Sequence, residues 1–251
     1  MDLELDRRVV LVTGGSGGIG ASIARAFGAE RARVALTYHH HRERAERVAR
    51  EVERLGGEAT VVGYDLADLA SVRAAVALVE ERWGGVDVLV ANAVRSETSP
   101  PGPFEARPVE EWREVLRSNL EGTLATVQAV LPSMKARGWG RLVLVAANAL
   151  VEGLPGWEAY GAAKAGLFGL ARTLAWELGP AGILTNVVVL SLTVTDRNRR
   201  AIPPAVVERV RATTPSGRLS EPDDVARAVV FLSSAANGNI SGAFLPVNGG
   251  R

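Results

Sequence analysis

Short runs of β-branched and other apolar residues recur along this chain, separated by longer stretches in which apolar positions return every three or four residues. Continuous apolar runs mark strands buried on both faces, and the 3.6-residue period marks amphipathic helices. The pattern predicts strands at Val9–Thr13, Arg33–Thr37, Ala59–Tyr64, Val86–Ala91, Arg141–Ala147, Ile183–Leu190 and Ala243–Val247. Between them it predicts helices at Ile19–Ala29, Arg42–Leu55, Leu69–Trp83, Val109–Ala136, Ala159–Leu178 and Asp223–Ser233. Such alternation requires an α/β architecture with a parallel sheet covered on both faces. Right-handed crossovers then leave one doubly wound, seven-stranded sheet, a single domain over residues 1–251, as the economical topology. One stretch, Thr193–Pro215, breaks the pattern with Pro203, Pro204, Pro215 and many charges. It follows a strand, where open α/β sheets place their ligand crevice, and reads as a substrate flap at about 192–215 or as an ordinary surface loop.

Composition narrows the function classes. Over 251 residues, 29 basic side chains face 28 acidic ones, so the net charge of +1 lacks the concentrated excess that phosphate neutralisation on a nucleic acid needs. There is no cysteine, which excludes disulfides and thiolate metal sites, and the three histidines are the consecutive His39, His40 and His41, a spacing that rarely converges on one metal. No metal is therefore expected. The first residues, with Asp2, Glu4 and Asp6, do not form a basic segment ahead of a signal-type apolar core, and no apolar run approaches the roughly 20 residues of a membrane-spanning helix. The expectation is a cytoplasmic protein with neither membrane nor nucleic-acid partner. The charge-rich segments Arg42–Arg54 and Arg197–Arg200 read as solvated surface.

The first predicted strand runs straight into Thr13, Gly14, Gly15, Ser16, Gly17, Gly18, Ile19 and Gly20, and then into a helix. A diphosphate needs close backbone approach and the exposed N–H groups of a helix N-terminus, and glycines allow both. With strand before and helix after, the turn reads as a dinucleotide site, the alternative being a purely structural tight turn. The spacing TGxxxGxG, carried by Gly14, Gly18 and Gly20, resembles that of the short-chain dehydrogenase/reductase family. Further elements match in order: Asp65 after the third strand, Asn92 after the fourth, Asn119 within WREVLRSNL, Tyr160-x-x-x-Lys164, and Val247-Asn248-Gly249-Gly250 near the end. The resemblance covers nearly the whole chain and implies a Rossmann fold, a nicotinamide cofactor and carbonyl reduction.

The cofactor can be narrowed at the end of the second strand, where an acidic residue holds a ribose 2′-hydroxyl and a cation accommodates a 2′-phosphate. Here stand Tyr38, His39, His40, His41 and Arg42, with no carboxylate, which favours NADP(H) over NAD(H). The alternative is that the histidines form a solvated loop. The family resemblance then places the cofactor against Gly14, Ser16, Gly18, Ile19, Gly20, His39, His40, Arg42, Asp65, Leu66, Asn92, Tyr160 and Lys164.

Tyr160 and Lys164, four apart, share a helix face, so the ammonium is expected to lower the phenol's pKa and make Tyr160 a general acid. In the family the lysine also holds the nicotinamide ribose. Asn119 corresponds to the residue that keeps a relay water there, although it can equally be a polar residue satisfying its own helix. The family's substrate-orienting serine, thirteen residues before the tyrosine, is Ala147 here. Losing such a donor costs about 3–4 kcal/mol of transition-state stabilisation. Asn148 or Ser191 could supply a donor. Otherwise the substrate could carry its own hydroxyl beside the carbonyl, as polycyclic phenolic ketones do, or the chain could be a degenerate member that binds NADP(H) for a non-redox step or as an assembly partner. Two more departures are Val94, where the family has glycine, and Leu190-Ser191, where it has Pro-Gly.

The expected pocket wall of Leu150, Val151, Leu154, Pro155, Trp157, Leu192 and Val194 favours a small hydrophobic carbonyl substrate, foremost a polycyclic aromatic ketone of polyketide type, unless these side chains are simply core. An acyl-thioester ketone or a steroid is the other option. Excess apolar residues on the two long helices, which pair across a two-fold axis in the family, imply a homo-oligomer, tetramer or dimer.

Overall fold

The computed structural model describes residues 2–95, 102–148 and 152–251. Its strands are β1 (Val9–Val12), β2 (Arg33–Tyr38), β3 (Glu58–Gly63), β4 (Val88–Ala91), β5 (Gly140–Ala147), β6 (Ile183–Leu190) and β7 (Phe244–Val247). They form one parallel sheet in the order β3-β2-β1-β4-β5-β6-β7. The chain moves outward from β1 to β3 and then returns to β1's other side with β4. The winding therefore reverses between β1 and β4, and the crevice outside their carboxyl ends is where such sheets bind ligands.

Helices cover both faces. On one, α1 (Gly18–Ala29) and α2 (Arg42–Arg54) pack with a C-terminal helix over a core that includes Ile23, Phe27, Val48, Val143 and Val229. On the other, α3 (Leu69–Trp83), α4 (Val109–Leu116), α5 (Gly122–Arg137) and α6 (Glu158–Leu178) lie over Val76, Val130, Leu144, Leu167 and Leu178. Strand residues alternate between these two cores, as the period of two requires. No helix among the described residues is long and apolar enough to cross a membrane.

Two expectations are corrected. The single helix predicted over Val109–Ala136 is interrupted by a π-helical turn at Arg117–Glu121. There Asn119 Nδ2 donates to the Val115 carbonyl at 3.0 Å and Thr123 Oγ1 to the Asn119 carbonyl at 2.9 Å, so side chains compete for the helix's own acceptors. The stretch read as irregular contains two short helices, α7 (Asp196–Ala201) and α8 (Pro204–Ala212), followed by α9 (Pro222–Ser233). Thr195 caps α7 through Asn198 N at 3.2 Å, and Pro204 opens α8. A proline at the first helical position starts a helix instead of breaking one.

Candidate active site

The glycine turn lies at the switch point. Gly14 and Gly18 hold φ of +68° and +55°, values at which any side chain is strained. The turn is tied to both neighbouring strands. Gly14 N donates to Thr37 Oγ1 at 3.0 Å, while Asn92 Nδ2 donates to the Thr13 carbonyl at 2.9 Å. A Cβ on Gly20 would stand 2.3 Å from the Gly14 carbonyl oxygen, so the turn folds onto the helix it precedes. Helix α1 opens with no side-chain cap and no acidic residue in its first turn, which leaves its N–H groups and dipole facing the crevice and fits an anionic diphosphate. Ser16 is half-buried there, and Ile19 leans on the core. Asn92, expected to line the cofactor's path, spends its amide on the turn itself.

At the far end of the crevice, His39 Nε2 lies 3.5 Å from Asp65 Oδ2, and the His39 and His40 rings lie 3.6 Å apart. Arg42 is a surface residue whose Nε donates to Glu46 at 2.9 Å. Asp65 Oδ1 accepts the Ala67 N–H at 2.9 Å, so one carboxylate serves both the turn and the histidine. Leu66 packs into the core beneath α5. Its carbonyl oxygen also lies against α5, where a Cβ on Gly122 would meet it.

Tyr160 and Lys164 occupy the first turns of α6, against the end of β5. Lys164 is buried, and its Nζ donates to the Val145 carbonyl at 2.9 Å, 5.8 Å from the Tyr160 ring centroid. Desolvation brings its pKa down to about 8. Burial pushes the Tyr160 phenol up to about 12, opposed by the positive charge of Arg197. The expected lowering by Lys164 is thus not what governs this phenol: burial does, and the opposing cation comes from α7, a segment the sequence reading treated as solvated surface. Trp157 stands edge-on to the Tyr160 ring, centroids 5.5 Å apart.

Asn119 is fully buried. Its Oδ1 accepts Arg95 N at 3.0 Å and its Nδ2 donates to the Arg95 carbonyl at 2.8 Å, locking the π-turn to the segment after β4. Ala147 ends β5. Asn148 continues the ladder through its N–H to the Leu190 carbonyl at 2.6 Å, while its Nδ2 donates to Glu152 Oε1. One of the two Asn148 amide hydrogens is thus engaged by Glu152. Ser191 is half-buried, and its hydroxyl makes no hydrogen bond with a described residue.

Among the expected wall residues, Leu154 and Pro155 are exposed and Trp157, Leu192 and Val194 half-buried, so none of these five is core; Leu150 and Val151 lie outside the described residues. Sequence reading missed Thr195, whose Cγ2 would lie 3.5 Å from a Cβ on Gly18, and the ion pair of Glu152 with Arg251 at 2.6 Å. It also missed Arg107, whose guanidinium donates to the Gly156 carbonyl at 2.8 Å and anchors the segment leading to Tyr160. The i,i+4 spacing of Arg107 and Glu111 was the one local signal for this cluster.

A family model described as enoyl-(acyl carrier protein) reductase matches residues 14–251. D-threitol dehydrogenase of Mycolicibacterium smegmatis is 35% identical over 249 residues, covering 99% of this chain and 94% of that protein. Acetoacetyl-CoA reductase of Rhizobium meliloti is 37% identical, covering 97% and 98%. A solved 7α-hydroxysteroid dehydrogenase, complexed with NADH and 7-oxo glycochenodeoxycholic acid, superposes with a TM-score of 0.92 at 30% identity, covering 99% of this chain and 96% of that one. With the switch-point glycine turn and the Tyr160–Lys164 pair, these matches show that the chain belongs to the short-chain dehydrogenase/reductase family and is an NAD(P)-dependent oxidoreductase of alcohol and carbonyl groups.

Proposed function

We propose that the protein is an NADPH-dependent ketoreductase acting on a small hydrophobic carbonyl compound, a polycyclic aromatic ketone of polyketide type being the leading candidate. The observation that carries the reading is the seating of Tyr160 and Lys164 at the start of α6, against the last residues of β5, on the crevice that the glycine turn borders. The exposed and half-buried apolar side chains of Leu154, Pro155, Trp157 and Leu192 support a hydrophobic substrate.

The dinucleotide would lie along Gly14, Ser16, Gly18, Ile19 and Gly20, with Asn92 holding the turn in shape. Its 2′-phosphate would meet His39, His40 and Arg42, since no carboxylate stands at the end of β2 and Asp65 is paired with His39. The chemistry it supplies when bound is hydride donation to a carbonyl carbon. Tyr160 gives its phenolic proton to the carbonyl oxygen as negative charge develops there, and Lys164 holds the nicotinamide ribose. Asn119 fixes the π-turn on which α4 and α5 meet, Ser191 offers a hydroxyl to the substrate, and residues 192–215 close over it. The molecule works as a homo-oligomer.

The test is oxidation of NADPH and of NADH by purified protein with a panel of hydrophobic ketones, including a hydroxylated polycyclic quinone. The expected result is turnover with NADPH preferred by about tenfold or more, about 1.4 kcal/mol. Tight binding of NADPH without turnover across the panel would overturn the proposal and favour a non-redox or assembly role.

A further inference from the structure

We infer that Asn148 faces the substrate as a hydrogen-bond acceptor, and that the enzyme accordingly selects α-hydroxy ketones, with the substrate's own hydroxyl donating to Asn148 Oδ1. The inference rests on the reductase reading and names a narrower substrate class for it.

An ionised carboxylate can only accept hydrogen bonds. Glu152 is held in an ion pair with Arg251 at 2.6 Å, so the end of the Asn148 carboxamide that meets Glu152 Oε1 must be the NH2. Arg251 is itself fixed, reaching the Val210 carbonyl in α8 at 3.4 Å. The orientation of Asn148 is therefore set by two charged residues, Glu152 directly and Arg251 through it. Its Oδ1 accepts no hydrogen bond from any described residue, and it is not among the enclosed unpaired polar atoms, as Ser118 Oγ and Thr185 Oγ1 are. Leu144 and Ala146 pack in the same core as Leu167 and Ala171 of α6. Strand alternation, extended by the Asn148-to-Leu190 hydrogen bond, places the Asn148 side chain on that same side, the side of Tyr160.

An acceptor at this point repels a carbonyl oxygen and attracts a hydroxyl hydrogen on the next carbon. A plain ketone would leave Asn148 Oδ1 desolvated and unpaired, a penalty that the hydroxy ketone avoids. Ala147, at the position of the family's serine, supplies no donor to a plain ketone in compensation.

The experiment compares kcat/KM for α-tetralone and its α-hydroxy derivative, which differ by one hydroxyl. The wild type is expected to favour the hydroxy ketone by about 10- to 100-fold. Glu152→Gln, whose amide can donate as well as accept, frees Asn148 to turn its NH2 outward and should collapse the ratio toward one; a merely structural role would slow both substrates alike. Asn148→Leu, checked for folding by its thermal transition, should also lose the preference. Equal kcat/KM for the two ketones in the wild type, or a ratio unchanged in both variants, would overturn the inference. If neither ketone is reduced, the reductase reading is decided by the full ketone panel. Calorimetric titration of the matched diol and alcohol into the Tyr160→Phe complex with NADP+ then decides the inference separately, tighter binding of the diol supporting it and equal binding overturning it.

Discussion

Lys164 is an ammonium enclosed by protein, and its one hydrogen bond among the described residues is to the Val145 carbonyl. Burial depresses its pKa from 10.5 to about 8, so between those values the unfolded chain binds the proton that the folded chain has released. Stability from this group therefore rises as pH increases from 8 to 10.5, and below pH 8 the folded state carries a penalty of about 3 kcal/mol. Lys164→Met should raise Tm at pH 7, flatten that rise in thermal melts taken across the window, and abolish turnover. An unchanged or lowered Tm at pH 7 would show that the buried charge is compensated in the free protein. The Tyr160 and Lys164 positions were legible because their spacing is local to one helix. The contact of Glu152 with Arg251 was not, because it joins residues 99 positions apart and no local pattern encodes it.

At the scale of elements, the strands were legible to within a residue or two because buried parallel strands announce themselves as unbroken apolar runs. Asp87 shows why edges slip: the apolar run begins at Val86, but the Asp87 carboxylate accepts Val9 N at 2.8 Å and the strand starts only at Val88. The π-turn was hidden because a helical hydrophobic period passes through it unbroken, while the Asn119 and Thr123 side chains that compete for the helix's acceptors leave no mark on that period. Asn119→Ala would leave both Arg95 backbone groups without this partner, and it is expected to lower stability by about 1–3 kcal/mol in denaturant unfolding. A change under about 0.5 kcal/mol would mean that the lock is dispensable. Gly20→Ala, by driving a methyl group against the Gly14 carbonyl, is expected to weaken NADPH binding by at least about tenfold in fluorescence titration, and unaltered affinity would remove the turn from the site.

For the whole molecule, the parallel strand directions bring the glycine turn after β1, the end of β5 and the start of α6 to the carboxyl end of the sheet, from chain segments far apart in sequence. The long helices also carry apolar side chains outward: Trp176 on α6 is 80% exposed and Leu124 on α5 is 41% exposed. A second copy covering them would account for their composition, so light scattering at micromolar concentration is expected to give a tetramer or dimer, and a monomer would contradict that assembly.

The central claim is that Tyr160 protonates a substrate carbonyl on this scaffold although position 147 is alanine. It is tested most directly by NADPH consumption with a reducible ketone in the wild type and in Tyr160→Phe, with NADPH affinity measured on both. A fall in kcat of about 10²–10⁴ with affinity unchanged is the predicted result; turnover that survives in Tyr160→Phe would contradict it.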